Sequence, residues 1–416
     1  MTTGEKQDET DLRHNVVVQL LHGMFGQTGF RLINAPTFMP VYLFTLGGSE
    51  VLVGLARSLQ AAGMVLTPVM GATLIGHRRR VLGITLISGA LMRIQILLIA
   101  VAGFLLGNHP SNIYVVIVLL LLMGLFQGLQ GVMVNTLRAK VIPVSSRGTV
   151  TGWRNFLAGG TTATLSWFAG KYLIEPNVFG NGYASLFLLA FLVTSVGLLA
   201  LGFSREPASD TVREKRGFLE GFGDAPRLLR DNDEFRRFFI VTTLGAAGRM
   251  AMPFYILHAS ERIEVTGALL GVLTTLWMLT GTATNLVWGS IADRSGYRLV
   301  LVLTLALWAA AHVQLLLVDD VISVMLFFVV IGTATGGFNQ ARQNMVLELG
   351  EDPEIPLRVA VGNMSVNAMG MIGPLLGGLI SLAFGFSAVF ILCLVLQLIA
   401  LAIGLTLPEP RDAARP

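Results

Sequence analysis

Residues 289–298 read Gly289-Ser-Ile-Ala-Asp293-Arg294-Ser-Gly296-Tyr-Arg298, a short polar segment between two long apolar runs, 267–291 and 298–317. Its glycines permit a tight turn and a close approach of the flanking segments. Its arginines belong at a water-facing surface. A helix needs about 20 apolar residues to cross the hydrocarbon core of a bilayer, and the runs on either side are of that order. Reading outward from this loop, the same kind of run recurs at 16–43, 50–75, 81–106, 113–138, 149–173, 183–203, 237–258, 321–346, 360–383 and 386–407. With the two runs beside the loop, these predict twelve membrane spans. The runs lack a strand period, which excludes a β-barrel. The first run is too long for a signal-peptide core, so it is read as retained. Composition agrees: 53% of the 416 residues are hydrophobic and 13% charged, against about 25% charged in soluble domains. Disordered, fibrous and nearly all soluble enzyme classes are thereby excluded.

Lys and Arg fix the orientation, because basic residues accumulate on the cytoplasmic side. With the N-terminus inside, the inner segments carry basic residues such as Arg78, Arg79, Arg80, Arg138, Lys140, Arg147, Arg205, Arg294, Arg298 and Arg358, whereas the outer loops hold only Lys171 and Arg262. Both termini are therefore expected inside. The longest break, 204–236, is charged and divides the chain into a tail 1–15, six spans over 16–203, a central loop, six spans over 237–407, and a tail 408–416. Phe218, Leu219 and Phe222 in that loop fit either a short surface helix or a solvated linker. The net charge of +4 is no nucleic-acid signature, since the bilayer accounts for the placement of the basic residues, and the lone Cys393 lies in an apolar run with no disulfide or metal partner.

The decapeptide at 289–298 resembles the signature loop of the major facilitator superfamily, which joins the second and third spans of each half. The matching loop of the first half reads Gly71-Ala-Thr-Leu-Ile75-Gly76-His77-Arg78-Arg79-Arg80. There the basic tail survives, but Ile75 stands where the family has an acid. Arg147-Gly148 and Arg358 occupy the family's later basic loops. The resemblance covers residues 15–407. It implies an all-α integral membrane protein: twelve transmembrane helices in two pseudo-symmetric six-helix bundles around a central cavity, with a midplane substrate and alternating access. It also implies a gate in which Gly289, Asp293, Arg294, Gly296 and Arg298, with Gly71 and Arg78, take part, Asp293 capping a helix and pairing with arginine. Span eleven carries Gly370-Met-Ile-Gly373-Pro374-Leu-Leu-Gly377-Gly378, read as a kinked, closely packed helix.

Six arginines remain inside spans: Arg31, Arg57, Arg93, Arg154, Arg249 and Arg342. Each costs roughly 2.5–3.5 kcal/mol in lipid and must face a cavity or a partner. No carboxylate sits at a span centre. The offset of 218 that carries Gly71 onto Gly289 also carries Arg31 onto Arg249. Guanidinium groups bind phosphate or carboxylate bidentately. The superfamily's organophosphate/phosphate antiporters similarly place arginine in spans one and seven, and that role is carried over to Arg31 and Arg249 alone. The alternative is that both arginines bind carbonyls freed near Pro36, Pro40 and Pro253. Arg57 and Arg93 are expected to brace helices, Arg154 to reach the inner face, and Arg342 either to meet ligand or to pair elsewhere. Gln27, Asn34, Gln127, Gln130 and Asn339 either complete a polar site or tie helices together.

Proton coupling needs a membrane carboxylate or a titrating histidine, so His22 and His258 are the candidate proton sites; anion exchange and uniport need neither. No phosphate-binding lysine loop, dinucleotide fingerprint, metal pattern or nucleophile triad is present, so no enzyme, cofactor or metal is expected. The sequence therefore reads as a transporter of a small organic or phosphorylated anion held between Arg31 and Arg249. It is expected to work as a monomer in a bacterial cytoplasmic membrane. The competing readings are a drug or metabolite exporter of the same fold, for which a cation-recruiting acid in span one or four is missing, and a non-transporting membrane scaffold.

Overall fold

A computed structural model of the chain describes residues 3–107, 109–208, 225–349 and 355–409. Phe218, Leu219 and Phe222 of the central loop lie outside the described residues. Every regular element described is helical, as hydrocarbon requires of a segment that must satisfy its own backbone. The helices are α1 (Thr3–Leu21), α2 (Gln27–Asn34), α3 (Phe38–Gly47), α4 (Glu50–Leu66), α5 (Pro68–Gly76), α6 (Leu82–Leu106), α7 (Asn112–Val141), α8 (Val144–Ala169), α9 (Gly182–Gly202), α10 (Ala225–Asp231), α11 (Asp233–Gly245), α12 (Gly248–Ala251), α13 (Tyr255–Ala259), α14 (Gly267–Ser295), α15 (Tyr297–Leu316), α16 (Val321–Glu348), α17 (Ile355–Phe384) and α18 (Phe386–Gly404).

Ten helical stretches among the described residues are long and apolar enough to cross a membrane. The other two spans read from the sequence are helical but less uniform. Span one is broken into α1, α2 and α3, with a π-turn at His22–Gly26 between the first two. Span five is α8, which carries Arg147 and Arg154.

The chain groups into two units. One comprises Met1–Tyr42, Leu59–Arg216 and Gly267–Gly271; the other comprises Leu43–Ser58, Gly217–Thr266 and Val272–Pro416. The packing inside them repeats. In the first unit α6 packs on α7 and α9, and in the second α15 packs on α16 and α18; the third span of each half thus meets the fourth and sixth. The core at the loop end of the first unit gathers Ile75, Val81, Met133, Leu137, Val141 and Leu201. The second unit buries large aromatic side chains, with Phe235, Phe238, Tyr255, Trp308, Phe327 and Phe338 almost fully buried.

Candidate functional site

Spans one and seven both break beside their arginine. In span one α2 ends at Asn34, and Ala35 is extended (φ −55, ψ 146) because the ring of Pro36 disfavours helical geometry in the residue before it. Arg31 lies in the last turn of α2, half-buried. Its Nη2 donates to Gln27 Oε1 at 3.0 Å, one helical turn away. Asn34 donates from Nδ2 to Phe30 O (2.9 Å) and accepts from Gln60 Nε2 (2.8 Å), so it ties span one to span two.

In span seven α11 stops at Gly245, a turn covers 246–247, and α12 is followed by a 3-10 turn at Met252–Phe254 that contains Pro253. Arg249 sits on α12. Arg249 does not take the carbonyls at this break, where Ala247 O accepts from the Met250 N–H at 2.8 Å and Gly248 O from the Met252 N–H, and side chains add further donors. Gly245 O accepts from Gln397 Nε2 (3.4 Å), Ala247 O from Cys393 Sγ (3.3 Å) and Gly248 O from the Tyr255 hydroxyl (3.2 Å). Among the described residues the Arg249 guanidinium has neither a hydrogen bond nor an ion pair, while its backbone N–H donates to Ala246 O at 2.9 Å. The charge acting on it is that of Arg342, of the same sign. Gly370 of the span-eleven string lies alongside: a Cβ there would come 3.7 Å from Arg249 Nη1. The same string carries Pro374 inside α17, and the N–H of the next residue, Leu375, donates to Ser58 Oγ (2.9 Å).

The other membrane arginines are mostly spoken for. Arg93 donates to Thr194 O and Gly89 O, both at 2.8 Å, and lies over the Phe30 ring, which is the bracing role. Arg154, expected to reach the inner face, is instead buried and donates from Nε to Gln19 O at 3.0 Å. Arg342 is buried and donates from Nη1 to Asn363 Oδ1 (2.8 Å), while its Nε has no partner among the described residues. Gln130 is buried with its Nε2 unpartnered among them, and Gln127 has an Oε1 in the same state. Asn339 is partly exposed on α16. His22 is buried within electrostatic reach of Arg154, Arg93 and Arg138. His258 is buried with Nδ1 at 3.2 Å from Glu261 Oε2.

The two signature loops differ in a way the sequence only half announced. Asp293 and Arg294 lie exposed in the last turn of α14, and Asp293 caps no helix among the described residues. The N-terminus of α15 is served by Glu409 instead, whose Oε2 accepts from the Arg298 N–H at 3.1 Å. Gly296 between them is held at φ 83, and a side chain there would overlap the Glu409 carboxylate. Arg298 donates to Leu405 O. In the first unit Ile75 is buried among apolar side chains. Gly71 lets α5 approach the Leu129 carbonyl of α7. Arg78, just beyond α5, donates to Leu74 O of that helix (3.1 Å). Here the acid is Glu206. Its side chain, 2% exposed, accepts from the Val81 N–H (2.7 and 2.9 Å) and Leu82 N–H (2.8 Å) and pairs with Lys140 Nζ (2.9 Å). Sequence reasoning missed both acids. The signal was there: each half closes its last span with Glu-Pro, at Glu206-Pro207 and Glu409-Pro410.

Beside Glu206 is a cavity of about 760 Å³ lined by Asp11, Asn15, Lys140, Arg147 and Arg205 among others. Its charges are already engaged. Lys140 pairs with Glu206 and Arg205 with Asp11. Arg147 donates to Ile142 O and Ala139 O (2.9 and 2.7 Å). It therefore offers less to an anion than the unpartnered Arg249.

The family profile described as Major Facilitator Superfamily matches residues 20–255 and 237–416. Among curated proteins, the chain is 29% identical over 162 residues to "Multidrug resistance protein MdtG" of Dickeya zeae (strain Ech586), a stretch covering 37% of this chain and 39% of that relative. The match thus spans well under half of the relative's length. Among solved structures, a point mutant of the nucleoside transporter NupG superposes with a TM-score of 0.75 at 12% identity, covering 94% of this chain and 99% of that one. A bacterial homologue of the human lysosomal transporter Spinster, inward-facing and unoccupied, gives 0.69 at 14% identity, with 98% of each chain covered. At such identities these structures speak for the fold.

Proposed function

The chain belongs to the major facilitator superfamily, a family of membrane transporters rather than enzymes, and from that premise we propose that it carries a small organic or phosphorylated anion, with Arg249 and Arg31 as its anion-binding residues. One observation carries the reading. A guanidinium group stands on a broken membrane helix with no partner among the described residues and with Arg342 as its charged neighbour. A buried cation is costly unless paired, and the missing counter-charge is supplied when an anion binds. Arg31, held by Gln27, is the corresponding residue of the other half. Arg342, Gln127, Gln130 and Asn339 are the polar groups proposed to complete recognition. Asn34, engaged by Gln60, contributes by fixing span one.

Coupling is proposed as exchange or uniport, since a returning anion re-pairs the arginines without a proton carrier. The proton-coupled variant falls to His258 or His22. The signature-loop residues Gly289, Asp293, Arg294, Gly296 and Arg298, with Gly71 and Arg78, are proposed to belong to the inner gate. The working unit is proposed as a monomer in a bacterial cytoplasmic membrane. The partial relative named as a multidrug resistance protein favours a second reading, export of amphipathic anions or neutral compounds.

The test is flux into proteoliposomes of a labelled panel of inorganic phosphate, glycerol phosphate, a sugar phosphate, lactate and citrate, with and without a pH gradient. The parent is expected to move at least one member, Arg249→Gln to lose it and Arg31→Gln to move it more slowly. Parental flux in both variants overturns the anion reading. Movement of cationic dyes but of no panel member supports the exporter.

A further inference from the structure

We infer that Tyr255 is a positioning residue for Arg249, acting with His312, Gln397, Cys393 and Trp308 as a buried splint across the break in span seven; the inference takes Arg249 as the anion-binding residue proposed above. All five side chains are 2% exposed or less. They come from three elements: Tyr255 opens α13, Trp308 and His312 lie on α15, and Cys393 and Gln397 lie on α18. Three side-chain bonds reach backbone carbonyls at the break, two of which also accept a backbone N–H, Ala247 O from Met250 and Gly248 O from Met252. Gln397 donates to Gly245 O, Cys393 to Ala247 O and Tyr255 to Gly248 O. The last of these carbonyls belongs to the peptide unit that ends in the Arg249 nitrogen, so whatever holds it holds the root of the arginine side chain. Gly248 is confined from the other side as well, because a Cβ there would overlap the Trp308 indole.

The hydrogen-bond count of the splint adds a second feature. Gln397 must present its amide nitrogen to Gly245 O, since a carbonyl only accepts. Its Oε1 therefore faces His312 Nδ1, at 2.8 Å, and a neutral imidazole carries its proton there. His312 Nε2 is then an acceptor. The Trp308 indole N–H, a donor only, donates to the Tyr255 oxygen at 3.2 Å. Tyr255 has one proton and two acceptors in reach, Gly248 O at 3.2 Å and His312 Nε2 at 3.1 Å. It serves one of them at a time. The splint thus has two arrangements of nearly the same packing, which differ in whether the Tyr255 hydroxyl also holds the carbonyl next to Arg249. A buried acceptor without a donor costs free energy: with Tyr255 on Gly248 O, His312 Nε2 is left without one, whereas with Tyr255 on His312, Gly248 O keeps only the Met252 N–H. A change at Arg249 that favours one carbonyl orientation selects between them.

The experiment uses the full chain in lipid nanodiscs and reads two quantities that do not depend on transport. One is amide hydrogen exchange over 245–256. The other is the rate at which phenylglyoxal modifies Arg249, with Arg31 as internal control. Tyr255→Phe is expected to speed exchange over 248–256 by about three- to tenfold, the scale of one net hydrogen bond. It should also change the Arg249 rate at least twofold and leave Arg31 and the exchange of α16 unchanged. Cys393→Ala is expected to show a smaller increase, and Cys393→Ser, which restores a donor to Ala247 O, to return it to the parental value.

Parental exchange and Arg249 reactivity in both Tyr255→Phe and Cys393→Ala overturn the inference. So does an increase spread evenly over α15, α16 and α18, which marks loosened packing alone, or a Cys393→Ser variant no better than Cys393→Ala. These outcomes stand apart from the transport test. If Arg249→Gln moves the whole anion panel like the parent, the anion reading falls, while the exchange and modification results still decide whether the splint positions the arginine.

Discussion

Spans one and seven start from the same plan and finish differently. Each places an arginine beside a break, 218 residues apart, yet the breaks are stabilised by different groups. In span one the arginine is engaged by its own helix, through Gln27, and Asn34 and Gln60 secure the segment. In span seven three side chains of the second unit bond backbone carbonyls at the break, and the arginine is left over. Sequence symmetry therefore marks where two cations are placed without dividing the work between them. The unengaged one has more binding free energy to offer a ligand, because no internal bond must be exchanged when an anion arrives. The engaged one must break or share its bond with Gln27.

The largest effect that tests this asymmetry is on transport. Removing one partner of a buried, hydrogen-bonded charge pair costs about 2–5 kcal/mol, so Arg249→Gln is expected to lower flux of the best panel anion by about thirtyfold or more. Arg31→Gln is expected to cost less, and Gln27→Leu, which frees Arg31, to shift KM with little change in kcat. Steady-state flux in proteoliposomes measures all three. Equal losses in Arg31→Gln and Arg249→Gln would show that the bond to Gln27 does not matter to binding.

The signature loops give the next largest contrast. Ile75 is 6% exposed inside an apolar cluster, whereas Asp293 is exposed and caps no helix among the described residues. Restoring the family's acid with Ile75→Asp buries a carboxylate without a partner and is expected to cost roughly 3 kcal/mol or more, read as a large fall in Tm in detergent. Asp293→Asn is expected to leave Tm within about 1 °C, since exposed positions away from special features rarely exceed ~0.5 kcal/mol. A stable Ile75→Asp protein would mean that the loop still has room for the family's charge.

The acids that do serve the loops form a third pair. Glu206 meets two backbone N–H groups and Lys140 with its side chain 2% exposed; Glu409 accepts from the Arg298 N–H. Hydrogen bonds to charged groups contribute about 1.5–3 kcal/mol each at most. Glu206→Ala is therefore expected to destabilise by about 3 kcal/mol and Glu409→Ala by about 1–2 kcal/mol. Equal losses in thermal unfolding would mean that Lys140 adds nothing to the first cap.

These contrasts also mark what could be read from the chain before folding. The apolar runs, the basic loops and the repeat between Arg31 and Arg249 lie on the surface of the sequence, because lipid imposes them at fixed length and sign. The partners of buried polar groups do not, because they come from residues far apart in the chain: Arg93 with Thr194, Arg154 with Gln19, His312 with Gln397. Composition and spacing cannot say which carbonyl an arginine will reach. His312 carries no sign of a partner in its own stretch of sequence, yet it is central to the splint in span seven. The two Glu-Pro pairs are the instructive miss. They repeat as plainly as the arginines, but a glutamate at the end of a span reads as a solvated charge until the N-terminus it caps is brought beside it.

The smallest expected effect separates two helix caps. The N-cap of α16 is Asp320, whose Oδ1 accepts from the Ser323 N–H at 2.6 Å; that of α9 is Asn181, which accepts from the Ala184 N–H at 3.0 Å. The hydrogen bonds from Ser323, first its backbone N–H and then its side chain, hold the Asp320 carboxyl below its ordinary range. A carboxylate whose folded pKa is depressed adds stability that is fully present above its unfolded value of about 3.9 and is lost as pH falls through the folded one. Acidification below pH ~4 should therefore speed amide exchange at 321–323 and leave 182–184 unchanged, because an amide cap does not titrate. Asp320→Asn should abolish the pH dependence while keeping the cap, since asparagine caps as well as aspartate. If the start of α9 loosened with acid to the same degree as that of α16, the effect would come from elsewhere in the unit and not from this carboxylate.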